Sequence, residues 1–362
     1  MTNIRQAYQQ AARQAQWSIL RHPPESMAQV LRQLAERSES VLEPDVYGSG
    51  ALIESFEAKI ANMLGKPAAL FLPSGTLAQP MALKIHSEAS QKQQVGLHPT
   101  SHLVLHEQDG YQQLWGLQGL LLGNAEKVLT LNDLEQANTT ELAAIVLELP
   151  MREIGGQLPT WDDLQAQVAW ARKHSIAVHI DGARLWHCPT YYQRSLAEIC
   201  EFADSVYVSL YKDIGGIAGA ILAGTEAFIS EAKRWSRRAG GNLISMYPYI
   251  LAAEKGLEDN LAAINNAVHY ARELGQLLDS IDGVRVNPKQ PQAAMFHLHI
   301  DREEETLIHA ITDYANTTGV VVLPLPRALI NNECICEISV GRRTMQQAPE
   351  FWREHLSACL QA

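Results

Sequence analysis

A chain of 362 residues, 46% hydrophobic and 19% charged, is long enough for one large or two smaller globular units and too apolar to be disordered. Its formal net charge of -11, with no basic cluster longer than the short run at 233–238, argues against a nucleic-acid binder. No unbroken apolar run of about 18 residues and no apolar N-terminal leader occurs, which argues against membrane insertion and secretion and predicts a cytoplasmic protein.

Residues 1 to about 25 are polar and Gln-rich and end at Pro23-Pro24, which predicts an outlying arm or helix. Ser26 with Gln29 makes a capping box, and Met27, Val30, Leu31 and Leu34 follow at helical spacing. After the turn-rich Asp45-Val-Tyr-Gly-Ser-Gly50, the residues Leu52, Ile53, Phe56, Ile60, Met63 and Leu64 trace a second helix stopped by Gly65. From Ala68 the texture becomes strand, loop, helix in alternation. Residues 68–72 read as a buried strand, Pro73-Ser74-Gly75-Thr76 as a tight connection, and 77–86 as a helix. A helix N-terminus presents unpaired N–H groups and the positive end of a dipole, so Ser74, Gly75 and Thr76 are either an ordinary cap or a phosphate cradle.

Further strands are predicted at 95–97, 119–122, 144–149, 176–180, 205–210 and 220–223, with helices over 103–114 and from Thr160 through Ala171. This alternation predicts an α/β fold, a mostly parallel sheet flanked by helices. A long helical run, 246–278, then leads to a smaller α+β unit with strands at 295–300 and 335–340 and helices at 305–314 and 350–360. The expected division is an N-terminal arm and helix (1–40), a large domain (41–250) and a small C-terminal domain (251–362). Cys188, Cys200, Cys334, Cys336 and Cys359 are scattered, and Cys334 and Cys336 have the spacing of one strand face rather than of metal ligands. Buried thiols in a reducing compartment are the simplest reading.

The 176–180 strand ends at Asp181, and the 205–210 strand is followed by Lys212. Chemistry in an open α/β sheet gathers outside the carboxyl ends of the strands, so both charges emerge on one rim. An acid facing a pyridine nitrogen and a lysine reaching an aldehyde carbon are what pyridoxal 5′-phosphate (PLP) requires of a protein; the plainer reading is a helix cap and a surface lysine. Glu148 ends the 144–149 strand on the same rim, where it either orients a cofactor oxygen or caps a loop.

Several motifs occur together and in order: Val46-Tyr47-Gly48, Leu64-Gly65-Lys66, Ala68-Ala-Leu-Phe-Leu-Pro-Ser-Gly-Thr76, Ser101-His102 with His106-Glu107, His179-Ile-Asp181-Gly-Ala-Arg184-Leu, and Ser209-Leu-Tyr-Lys212. Across about residues 40 to 250 this set resembles the threonine aldolase and β-eliminating lyase family of fold-type I PLP enzymes. The resemblance implies a large PLP-binding domain with a small C-terminal domain, and Lys212 as the Schiff-base lysine. It implies Asp181 as partner of the pyridinium nitrogen and His102 as the imidazole stacked on the ring. Ser74, Gly75 and Thr76 become the phosphate loop, and Arg184 a contact at the cofactor or substrate carboxylate. It further implies a homodimer or a dimer of dimers, in which Arg237 or Arg238 of a neighbour reaches the phosphate. The implied activity is retro-aldol cleavage of a β-hydroxy-α-amino acid to glycine and an aldehyde. The alternatives are β-elimination, transamination, or PLP binding with weak catalysis.

The pattern departs from the family in three places. Glu337 stands where an arginine of the small domain would hold the substrate carboxylate, Trp17-Ser18-Ile19 replaces a Ser-Asp-Thr element, and Asp213 replaces a glycine after the lysine. A carboxylate needs a cation to bind another carboxylate, and Arg152 and Arg327 are the candidates to supply it. Arg152 is either in the pocket or an ordinary surface partner of Glu153.

Overall fold

The computed structural model describes residues 2–39, 43–330 and 333–361. It divides into two compact units, one made of Met27–Glu153 and Leu158–Leu261, the other of Met1–Ser26, Ile154–Gln157 and Ala262–Ala362. The larger unit holds a seven-stranded sheet of β1 (Ala68–Leu72), β2 (Gln94–Leu97), β3 (Gln118–Leu121), β4 (Leu142–Glu148), β5 (Ala177–Gly182), β6 (Ser205–Ser209) and β7 (Ala220–Gly224). Their order is β1-β7-β6-β5-β4-β2-β3. The five strands from β3 to β6 are mutually parallel, whereas β7 runs antiparallel to both β6 and β1. The predicted strand at 220–223 is therefore present but reversed, because the connection after Lys212 is too short for the helical crossover that a parallel return needs.

Central strands of such a sheet are covered on both faces and read as continuous apolar runs. Leu142 to Leu147 of β4 obey this, none being more than 4% exposed. Helix Gly75–Ser90 packs on β4 to β7, and Ala51–Met63 lies against β1 through Ile53, Phe56 and Ile60. Gly65, at φ 62°, turns the chain out of that helix in the left-handed region where glycine is favoured. The helix predicted over 103–114 is instead two single turns, His102–Leu105 and Gly110–Gln113. Gln108 and Asp109 between them adopt φ of 53° and 55°, which no continuous helix can contain.

The smaller unit carries an antiparallel sheet of four strands in the order Ala328–Ile330, Glu333–Ser339, Met295–Ile300, Val284–Asn287. Helices Glu304–Thr318 and Pro349–Gln361 belong to the same unit. The N-terminal segment is packed rather than outlying. Its helix Thr2–Gln14 buries Tyr8 and Ala11 in this unit's core, Tyr8 Oη donates to Leu323 O at 2.7 Å, and Trp17–Ser18 pairs in parallel with Val320–Val321. Its polarity misleads because one apolar stripe is enough to seat a helix. All five cysteines are free and buried. No described helix is long and apolar enough to cross a membrane.

Candidate active site

Three neighbouring parallel strands bring the rim together. In register, Glu148 of β4 lies beside Asp181 of β5, and Asp181 beside Tyr207 of β6. Lys212 follows the end of β6 on that same rim, close enough to Asp181, Arg184, Asp213 and Glu148 for each to act on its charge. Asp181 is 2% exposed, and its Oδ1 accepts from Ala183 N at 3.1 Å, which leaves Oδ2 for another donor. Burial, and then the Arg184 guanidinium, hold the Lys212 amine below the usual lysine range, against the opposite pull of the three carboxylates. Arg184 is itself buried, and it stabilises Glu148 as an anion while opposing charge on Lys212.

Glu148 accepts from Arg152 N through Oε1 at 2.9 Å, while Oε2 is buried without a hydrogen-bond partner. Burial and then Asp181 push this carboxyl up to about 8, so near neutrality it holds a proton. An acid whose folded value lies above its unfolded one stabilises fully below the unfolded value, and that contribution is lost as pH rises through the folded value. Between about pH 5 and about pH 9 the wild type should therefore lose stability relative to Glu148→Gln, by on the order of a few kcal/mol. Urea unfolding of both proteins across that range measures the difference, and parallel curves would refute it. Glu57, also raised by burial to about 7, is common to both and cancels.

The phosphate-loop candidates open helix Gly75–Ser90. Ser74 is its N-cap, with Oγ accepting from Leu77 N at 3.2 Å. A Cβ on Gly75 would collide with the Tyr207 hydroxyl, so only glycine lets this turn settle over the strand that leads to Lys212. Beside it lies a cavity of about 470 Å³ lined by Ser74, Thr76, Leu114, Trp115, Trp235 and Arg238 among others; neither Asp181 nor Lys212 lines it. Arg238 lies over the Trp235 ring at 4.8 Å, and Arg237 over Tyr47 at 5.5 Å. Arg238 thus flanks the cradle, while Arg237 is turned to the Tyr47 loop.

His102 opens the first of the two short turns. Its Nδ1 lies 2.9 Å from Oε1 of Glu107, whose side chain is 1% exposed. A carboxylate can only accept, so this contact fixes the proton on Nδ1 and leaves Nε2 as the ring's acceptor. His106 stands beside it, with ring centroids 5.1 Å apart, and its Nε2 meets Glu153 Oε1 at 2.9 Å. Glu153 also pairs with Arg152 at 3.4 Å. The Arg152 side chain engages Glu153, as the surface-partner reading expects, while its backbone N–H holds the rim acid. Of the residues that pattern reading passed over, Glu107 and His106 stand in the motif next to His102, whereas Tyr207 was legible only as one face of a strand. His98 bonds Thr100 and two backbone carbonyls, and His179 bonds Ser205, as expected of structural histidines.

In the smaller unit, Glu337 is matched by Arg327 at 3.3 Å, and His297 lies 3.0 Å from the same guanidinium. Among the described residues no group of His, Cys, Asp and Glu is arranged to hold a metal ion.

The profile of the beta-eliminating lyase family matches residues 28–301, which include every rim residue described above. The chain belongs to that family. Among relatives of the beta-eliminating lyases, the low specificity L-threonine aldolase of Escherichia coli K12 is 26% identical over 86% of this chain and 92% of its own. A crystal structure from Listeria monocytogenes EGD-E, provisionally named an L-allo-threonine aldolase, superposes with a TM-score of 0.93 at 39% identity, covering 99% of each chain. Another, from Exiguobacterium sp. 255-15, provisionally named an aromatic amino acid beta-eliminating lyase/threonine aldolase, gives 0.91 at 35% identity over 98% of this chain and 99% of the other.

Proposed function

We propose that this protein is a PLP-dependent lyase that cleaves the Cα–Cβ bond of a β-hydroxy-α-amino acid to glycine and an aldehyde. The observation that carries the reading is the convergence of Asp181, Glu148 and Lys212 on one rim. The threonine aldolase names of the relatives support the choice of bond.

The donor set suits the cofactor. Asp181 would hold the pyridinium nitrogen, Lys212 the aldehyde carbon, and Ser74, Gly75 and Thr76 the phosphate, with Arg237 or Arg238 of a neighbouring subunit reaching its edge. Glu148 Oε2 is a buried polar atom without a hydrogen-bond partner, as expected of a site built to meet polar groups of a ligand. When bound, PLP supplies an electron sink for charge developing at Cα. Burial and Arg184 hold the Lys212 amine below its usual range, which favours its nucleophilic form. His102, oriented by Glu107, would stack on the cofactor ring and offers Nε2 to accept the β-hydroxyl proton. Arg184 and Arg152 supply positive charge for the substrate carboxylate, with Glu148 beside it as a protonated donor. Glu337 is already matched by Arg327, so the small-domain position does not serve in this role.

The protein assembles as a homodimer or a dimer of dimers and resides in the cytoplasm. Leu105, Leu114, Tyr211 and Ile217, each at least 44% exposed on segments that carry the site, support the first statement. The buried free thiols support the second.

The deciding experiment incubates purified protein and PLP with a panel of β-hydroxy-α-amino acids and assays all products. Equal amounts of glycine and aldehyde are expected. A keto acid with ammonia would favour the β-elimination reading that the Exiguobacterium name also carries.

A further inference from the structure

Consecutive residues of the turn that follows Arg184 reach both flanks of Lys212. Trp186 Nε1 donates to Ser209 O at 3.3 Å. His187 Nε2 lies 3.3 Å from Asp213 Oδ1, with the two side chains 3% and 4% exposed. The loop between is folded on itself, with Gly216 N donating to Leu210 O at 2.8 Å, Leu210 N to Gly219 O at 3.1 Å, and Asn260 Nδ2 to Ile214 O at 2.7 Å. Taking a carboxylate and a polar ring out of water is costly unless their contact offsets it. His187 Nδ1, moreover, is buried without a hydrogen-bond partner. Packing alone would be served better by apolar groups, so the pair calls for another explanation.

We infer that His187 and Asp213 are positioning residues for Lys212: the buried pair clamps the loop that bears the amine to the turn that follows Asp181 and Arg184, and sets one carboxylate beside that amine. The groups facing Lys212 are Arg184, Asp181, Asp213 and Glu148, and those facing Asp213 include His187 and Cys188. Asp213 therefore works against burial and Arg184, limiting how far the amine loses its proton. The inference deepens the reading of Lys212 as the reactive amine, yet its test needs no cofactor.

In the full-length, cofactor-free protein, Lys212 is titrated by reductive methylation across pH, and the Lys212 peptide is followed by mass spectrometry. Asp213→Asn keeps the shape and removes the charge, so the Lys212 midpoint is expected to fall by about one pH unit. His187→Ala is expected to raise amide hydrogen exchange across 210–216 at least about tenfold, and His187→Gln, whose amide nitrogen reaches the place of Nε2, to restore it. An unmoved midpoint in Asp213→Asn, or exchange in His187→Ala equal to wild type, overturns the inference. Should Asp213→Asn fail to fold, the two His187 variants decide alone. Expected shifts in a protein that forms no imine band with PLP would overturn the cofactor reading and leave the clamp standing.

Discussion

Lys212→Ala is expected to slow turnover at least about a thousandfold and to abolish the visible imine band formed with PLP, while the protein stays folded. Among the described residues, Lys212 is the lysine that acts on Glu148 beside Asp181 and Arg184. The fold should tolerate the change, because Lys212 lies in the loop that follows β6 rather than in a strand or helix. Absorbance of the PLP-saturated variant, with a melting curve beside it, measures both halves. A retained band would move the covalent link to another amine and sink the site assignment.

Asp181→Asn carries the second large effect. The amide keeps an oxygen for the Ala183 N–H and keeps the side chain's volume, so the β5 end should hold its shape. What is lost is the negative charge, and with it the preference for a protonated pyridine nitrogen that makes the ring a strong sink. The turnover number should fall at least about a hundredfold, with weaker PLP retention. Asp181 is also the charge that, after burial, does most to raise Glu148, so the variant's Glu148 should titrate lower. Equilibrium dialysis of PLP and steady-state kinetics read the first consequence, and the shift in pH-dependent unfolding reads the second. Wild-type turnover in this variant would remove Asp181 from the chemistry.

The rim was legible in the sequence because its strands announce themselves. Apolar runs such as Ala177 to Ile180 and Ser205 to Leu210 are short, buried, and punctuated by the charged residues that matter, Asp181 and Lys212. Register was not legible. That Glu148 neighbours Asp181 follows from the pairing of β4 with β5, which no local pattern states. The clamp between His187 and Asp213 joins residues 26 positions apart through two strand ends, and in the sequence only Asp213 stood out, as a substitution for glycine. The predicted helix at 103–114 failed for a local reason. Its apolar residues suit a helix, but Gln108 and Asp109 turn left-handed between the two short turns, and His102 meets Glu107 just before that break. Arg327 looked available for a substrate because its match, Glu337, comes from the facing part of a sheet whose pairing only the fold reveals.

The N-terminal helix sets a schedule for the newborn polypeptide. Tyr8 bonds Leu323, Arg5 meets Glu304, and Trp17 pairs with Val320, so these anchors leave the ribosome long after the helix they hold. The seven-stranded sheet, complete by Gly224, has everything it needs well before then. Tyr8 and Ala11 must meanwhile remain in water, an apolar stripe waiting on some three hundred residues of further synthesis. Vectorial translation would thus complete the seven-stranded sheet first and leave the helix at 2–14 waiting for the strands and helices that seat it.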